Sequence, residues 1–257
     1  MALITCSFYS EVLQTSTSMT VALPHQPPTA THDRTEPPPV LYLLHGLGDD
    51  ETSWTRNSSV ERHAADAGIA VVMPRASRSF YTDEHHGSRY WTFLTAELPE
   101  LVARLFRLSG RRQDTYVAGL SMGGYGAMRW ALHQPERFAA AASLSGVLDV
   151  AHPTARQLLD QAVPHAFGPH ELAGTDHDLL ARIGTRRPTD DLRLYIGCGT
   201  EDFAYPSNRR FAIRAQEAGW QVTEAFAPGS HQWDYWDAAI RNVLSWLHGP
   251  AAGGRDA

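Results

Sequence analysis

Apolar residues fall along this chain in short unbroken runs, separated by stretches in which they recur at helical spacing. Val40-Leu41-Tyr42-Leu43-Leu44 is continuous, as expected of a strand buried on both faces of a parallel sheet. Residues 69–73, 115–118, 138–144, 192–197 and 221–226 read the same way, and 19–23 reads as an earlier strand. Between them, helix signals cover 59–67 (closed by Gly68), 91–108, 125–133 and 207–218 (closed by Gly219). A last amphipathic helix covers 233–247. Strands alternating with helices predict an α/β fold with a mostly parallel central sheet and helices on both faces.

Three segments break the pattern. Residues 24–39 are Pro-rich and predict an exposed loop. Residues 149–188 have weak periodicity and scattered Pro, Gly and His, which predicts a small irregular cap inserted between core elements. Residues 251–257 predict a flexible tail. A chain of 257 residues is otherwise right for one α/β domain with a full core.

Residues 117–126, V-A-G-L-S-M-G-G-Y-G, carry the chemistry. An apolar strand, then G-x-S-x-G, then a helix is the context of a nucleophile elbow. The turn is so tight that positions two away from the serine must lack side chains. At about 7% glycine or serine per position, the pattern arises by chance on the order of 0.1 times in such a chain. Ser121 is therefore the expected nucleophile.

A serine hydroxyl needs a base, and the base needs an acid to fix its tautomer. In this kind of fold the chain order is Ser, acid, His. His231 lies in A-P-G-S-H, a turn-rich loop directly after the last strand, and is the expected base. Two aspartates qualify as the acid. Asp202 follows L-Y-I-G-C-G on the penultimate strand, the commoner position; Asp149 follows the strand before it and stays open on position alone. The oxyanion donors are expected to be the backbone N–H groups of Met122, at the start of the elbow helix, and Leu47, in H-G-L-G. Gly46 is the less favoured donor.

H-G-L-G, I-A-V-V-M-P, A-G-L-S-M-G-G-Y-G-A and G-S-H-Q-W-D-Y-W together resemble the esterase D family of α/β hydrolases, nearest its tributyrin-esterase (acetyl esterase) branch. The resemblance runs from about residue 19 to 247. It implies a serine carboxylesterase for short acyl chains, acetyl to butyryl, with Ser121, Asp202 and His231 as triad. It thereby decides between the two aspartates. The family also holds S-formylglutathione hydrolases, feruloyl and acetylxylan esterases, and mycolyltransferases. The first usually show H-G-L-T-C, whereas Gly48 and Asp49 follow Leu47 here. Hydrolysis and acyl transfer share one acyl-enzyme, so the sequence does not separate them, nor from a silent ligand-sensing scaffold except by its filled triad positions.

Of the aromatic residues near the motifs, Tyr125 and Trp233 are the ones expected beside the substrate, with Gly46. D-E-H-H at 83–86 and D-H-D at 176–178 lack the spacing that preorganises metal ligands, so neither a metal nor a cofactor is expected. The expected partner is a small-molecule ester. Net charge is −6 with no long basic run, which argues against nucleic acid, and no apolar segment is long enough to span a membrane. Two cysteines make no disulfide framework, and the first ten residues do not resemble a signal peptide, so a cytoplasmic protein is expected. Family members often associate, so the resemblance allows a homo-oligomer.

Overall fold

The computed structural model describes residues 1–24, 36–159, 161–185, 188 and 191–248. Most of the Pro-rich segment 24–39, and all of the tail 251–257, lie outside the described residues.

Eight strands form one mixed sheet. In chain order they are β1 (Ala2–Ser10), β2 (Thr15–Leu23), β3 (Val40–Leu44), β4 (Ala70–Pro74), β5 (Thr115–Leu120), β6 (Ala140–Leu144), β7 (Arg193–Gly199) and β8 (Gln221–Ala227). Their spatial order is β1-β2-β4-β3-β5-β6-β7-β8. β3 to β8 run parallel, while β1 and β2 are an antiparallel hairpin joined to β4. The strand β1 was not foreseen. Its residues alternate, Ile4, Cys6 and Phe8 half-buried against exposed Thr5, Ser7 and Tyr9. A strand with one solvated face shows a period of two and no continuous apolar run.

Helices α1 (Ser53–Asn57) and α2 (Val60–Ala67) follow β3, and α3 (Tyr90–Thr92) and α4 (Leu98–Leu105) follow β4. A π-helical stretch, Phe93–Glu97, joins α3 to α4, so the helix expected over 91–108 exists but is interrupted. The elbow helix is α5 (Met122–His133). The segment expected as an irregular cap contains α6 (Pro153–Leu158), α7 (Ala162–Phe167) and α8 (Leu179–Thr185). Each has fewer than two turns, too short to print a helical period on the sequence. Last come α9 (Tyr205–Glu217) and α10 (Trp233–Leu247).

The continuous apolar runs serve two cores at once. Val40, Tyr42 and Leu44 face α5 and α9 with Val117, Met128 and Phe211. Leu41 and Leu43 face α1, α2 and α10 with Trp54, Val60, Ile240 and Leu244. Neighbouring side chains on a strand point to opposite faces, so only a sheet covered on both sides accommodates such runs. Helices on both faces of a mostly parallel sheet make this the α/β-hydrolase fold. Its strands deliver their C-terminal ends, and the loops that leave them, to one edge.

Candidate active site

At that edge β5 turns sharply into α5. Ser121 holds φ 52° and ψ −116°, outside the ordinary regions for a residue with a side chain. The two flanking glycines are required by close approach. A Cβ on Gly119 would collide with the Gly123 backbone, and one on Gly123 with the carbonyls of Leu44 and His45. The Ser121 N–H donates to the Leu144 carbonyl at 2.9 Å, and the Ser121 carbonyl accepts from Val147 N–H at 3.2 Å. The strained turn is thus fixed to β6 on one side.

The loops after β7 and β8 are tied to each other. Glu201 N–H donates to the Gly229 carbonyl at 3.0 Å, and the Gly229 N–H donates back to the Glu201 carboxylate. A side chain on Gly199 would strike Gly229. Glu201 is thereby a tether, while its neighbour Asp202 points the other way, into the site. His231 Nδ1 lies 2.9 Å from both Asp202 carboxylate oxygens, and its Nε2 lies 3.0 Å from Ser121 Oγ. A carboxylate can only accept, so Nδ1 carries the proton and Nε2 is free to take one from Ser121. The array can deprotonate a serine hydroxyl and return the proton to a leaving group.

Asp202 is buried, and burial alone would push its carboxyl up. Hydrogen bonds from His231 and from the Ala204 N–H at 2.8 Å outweigh it, so the carboxyl titrates below its ordinary value. Asp149, the alternative acid, is taken by Arg210 at 2.7 Å instead.

The H-G-L-G loop lies against the nucleophile. A Cβ on Gly46 would sit 2.6 Å from Leu120 and 3.7 Å from the Ser121 Cβ. His45 is buried; its Nε2 accepts the Ala76 N–H at 3.0 Å while Nδ1 meets the Gly46 carbonyl at 2.8 Å. That pairing fixes a neutral tautomer, and burial pushes the imidazole down accordingly. The Gly46 carbonyl also accepts from Asp49 N–H at 3.3 Å. In a trans peptide the Leu47 N–H must then point to the opposite side. Met122 N–H is among the first in α5, which have no intrahelical acceptor.

The aromatic expectations need correcting. Tyr125 is wholly buried, its hydroxyl donating to the His177 carbonyl at 3.1 Å and its ring set against Phe80 and Phe167. It anchors the cap from below and presents no surface to a substrate, because its helix position faces the core. Trp233 is half-buried, edge-on to Trp54 and Trp236, and stands one ring back from His231. The rings that touch His231 are Trp236, at 4.9 Å, and Phe203, at 4.5 Å. Phe203 was not singled out, though it follows the acid directly; it is 46% exposed. Beside it opens a pocket of about 170 Å³ under the cap, walled by Val147, Ala155, Leu158, Leu159 and Phe203. None of Ser121, Asp202 and His231 lines it.

The acidic and histidine runs have other partners. Glu84 accepts from Ser88 N–H and faces His165, and Asp176 pairs with Arg182. No group of three or more potential metal ligands occurs among the described residues. No helix among them is long and apolar enough to cross a membrane.

The family model described as "Putative esterase" matches residues 10–247. Acetyl esterase of Caldicellulosiruptor saccharolyticus is 29% identical, over 96% of this chain and 98% of its own length. Among solved structures, the fluorophosphonate-binding serine hydrolase F of Staphylococcus aureus superposes with a TM-score of 0.83 at 31% identity, covering 96% of this chain and 98% of its own. S-formylglutathione hydrolase of the same organism gives 0.80 at 31% identity, with the same coverage.

Proposed function

The chain belongs to the esterase D family of α/β hydrolases and is a serine esterase, and from that premise we propose that Ser121, His231 and Asp202 are its triad and short acyl esters, acetyl to butyryl, its substrates. The observation that carries the reading is the unbroken hydrogen-bonded line from Ser121 Oγ through His231 to Asp202. In the acylation step Ser121 Oγ attacks the ester carbonyl as its proton passes to His231 Nε2. The tetrahedral oxyanion is received by the N–H groups of Leu47 and Met122. Collapse expels the alcohol, protonated by His231, and water repeats the sequence to release the acid.

Preference for short acyl groups is supported by the similarity to an acetyl esterase over nearly the full length of both chains. A second reading, acyl transfer to an alcohol, draws on 30% identity to a mycolyltransferase of Mycobacterium gordonae over 79% of this chain and 70% of that protein. Both readings pass through one acyl-Ser121 intermediate.

The test is hydrolysis of p-nitrophenyl esters from C2 to C12 by wild type and Ser121→Ala. Turnover peaking at C2 to C4 and lost by a factor of about 10⁴ or more in the variant is expected. A peak at C8 or beyond would overturn the substrate class, and activity surviving Ser121→Ala would overturn the triad. Adding glycerol to the same assay separates transfer from hydrolysis, by the appearance of an acylated alcohol.

A further inference from the structure

β1 and β8 are the two outer strands of the sheet, and they differ in chemistry. β8 carries Glu224, which accepts from the Gln216 amide at 2.7 Å, and its Ala225 carbonyl accepts from the Tyr235 hydroxyl at 3.2 Å. A charge on an edge strand is one of the devices that keep it from pairing with another strand. β1 has none of these devices. Its nine residues, A-L-I-T-C-S-F-Y-S, include no charge and no proline, and its register with β2 runs without a bulge.

The direction of its backbone groups follows from the ladder inside it. Arg75 N–H donates to the Ser18 carbonyl at 3.1 Å, so Ser18 turns its polar groups toward β4 and away from β1. Ser18 stands opposite Ser7, which makes theirs a non-hydrogen-bonded pair. Ser7 therefore presents its N–H and C=O outward, and by alternation so do Leu3, Thr5 and Tyr9. The side chains of the same four residues are exposed, Leu3 to 47% and Tyr9 to 57%. Among the described residues no strand pairs with that side.

These four positions are symmetric about Cys6. A second β1, antiparallel and with Cys6 opposite Cys6, sets Leu3 against Tyr9 and Thr5 against Ser7. Each such pair exchanges two backbone hydrogen bonds, and every outward-facing residue is used. The exposed leucine and tyrosine then cover each other, while Ile4 meets Phe8 on the other face. A shift of two residues either way leaves Leu3 or Tyr9 without a partner in the strand.

We propose that β1 is an interface between two copies of this chain, paired antiparallel about a two-fold axis at Cys6, so that two sheets join edge to edge. A two-fold contact requires a surface complementary to itself, and that symmetry selects a second copy over a foreign strand. The inference goes beyond the esterase reading and does not rest on it. β1 lies at the opposite end of the sheet from β7 and β8, whose loops carry Asp202 and His231.

The test is sedimentation equilibrium of the full chain from about 1 to 100 μM, a range that reads micromolar association. Thermal unfolding and p-nitrophenyl acetate hydrolysis per subunit check that each variant is folded. Wild type should pass from monomer to dimer. Thr5→Lys/Ser7→Lys sets like charges directly opposite each other and should raise the dimer Kd about tenfold or more. Thr5→Lys/Ser7→Glu places opposite charges at the same positions and should restore the dimer, which separates a broken interface from a damaged strand. The Cys6 pair has its Cα atoms about 4.5 Å apart, within the roughly 4.4–6.8 Å that a disulfide spans. Diamide, which takes up the two thiol protons and electrons, should therefore give a covalent dimer in wild type and none in Cys6→Ser; Cys198 is buried. A monomer at the highest concentration would overturn the proposal. So would a dimer indifferent to the paired lysines, or one in which Cys6 does not cross-link.

Discussion

A methyl group added at Gly123 has nowhere to go, since the carbonyls of Leu44 and His45 are already in contact there. Both belong to the strand end that carries the H-G-L-G loop, so relief of the clash must move that loop. Gly123→Ala should cost about 3 kcal/mol, at the upper end for overpacked sites, and lose most of its kcat. Gly48 is a useful contrast: it has φ 86° with open space around it. Gly48→Ala should cost only about 1 kcal/mol, from backbone strain. Urea midpoints at fixed slope measure both, and equal losses would sink the distinction. The demand at Gly119 and Gly123 was legible in the sequence because a tight turn imposes it on consecutive residues. The place of Phe203 against His231 was not, because it depends on which loop the neighbouring strand delivers.

Among the elements, the turn of the β1–β2 hairpin is clipped to the helix layer by a carboxylate. Glu97, the last residue of the π-helical stretch, accepts from Ser10 Oγ at 2.5 Å and from the N–H groups of Glu11 and Val12 at 2.8 and 3.4 Å. The wider π turn marks a departure from regular α-helix where the side chain meets the hairpin turn. Glu97→Ala should lower stability by about 1–2 kcal/mol and speed amide exchange in residues 2–14 ahead of the rest of the sheet. Uniform exchange across the sheet would mean that the hairpin has no separate clip. Nothing local in residues 91–108 announces this contact. The helix was visible from its apolar period, but the partner 86 residues away was not.

Across the whole molecule, half-buried imidazoles set the acid limit of stability. Burial pushes His133 and His177 down to about 4, and His177 Nδ1 has no hydrogen-bond partner. Unfolded histidine titrates near pH 6.5. Between those values the unfolded chain binds more protons, so stability falls as pH drops from about 6.5 toward 4. Asp202 adds to the loss further down, since a depressed carboxyl stabilises the fold only while it remains ionised. His177 packs edge-on to Phe167 within the cap. His177→Phe should therefore flatten the decline of Tm between pH 6.5 and 4.5 without loss at pH 8. An unchanged slope would place the acid sensitivity elsewhere.

The sequence by itself determined the fold class and brought Ser121 and His231 forward as the candidate nucleophile and base. Continuous apolar strands require a doubly covered sheet, G-x-S-x-G requires its sharp turn, and a histidine directly after the last strand must arrive at the sheet's C-terminal edge. Those are constraints between near neighbours in the chain. Tertiary structure alone gave Asp149 to Arg210, turned Tyr125 into the core, and brought Phe203 and Trp236 against His231. The reason is common to all of them: each depends on strand order and on the direction in which a loop side chain leaves the sheet, and those are fixed only when distant segments pack.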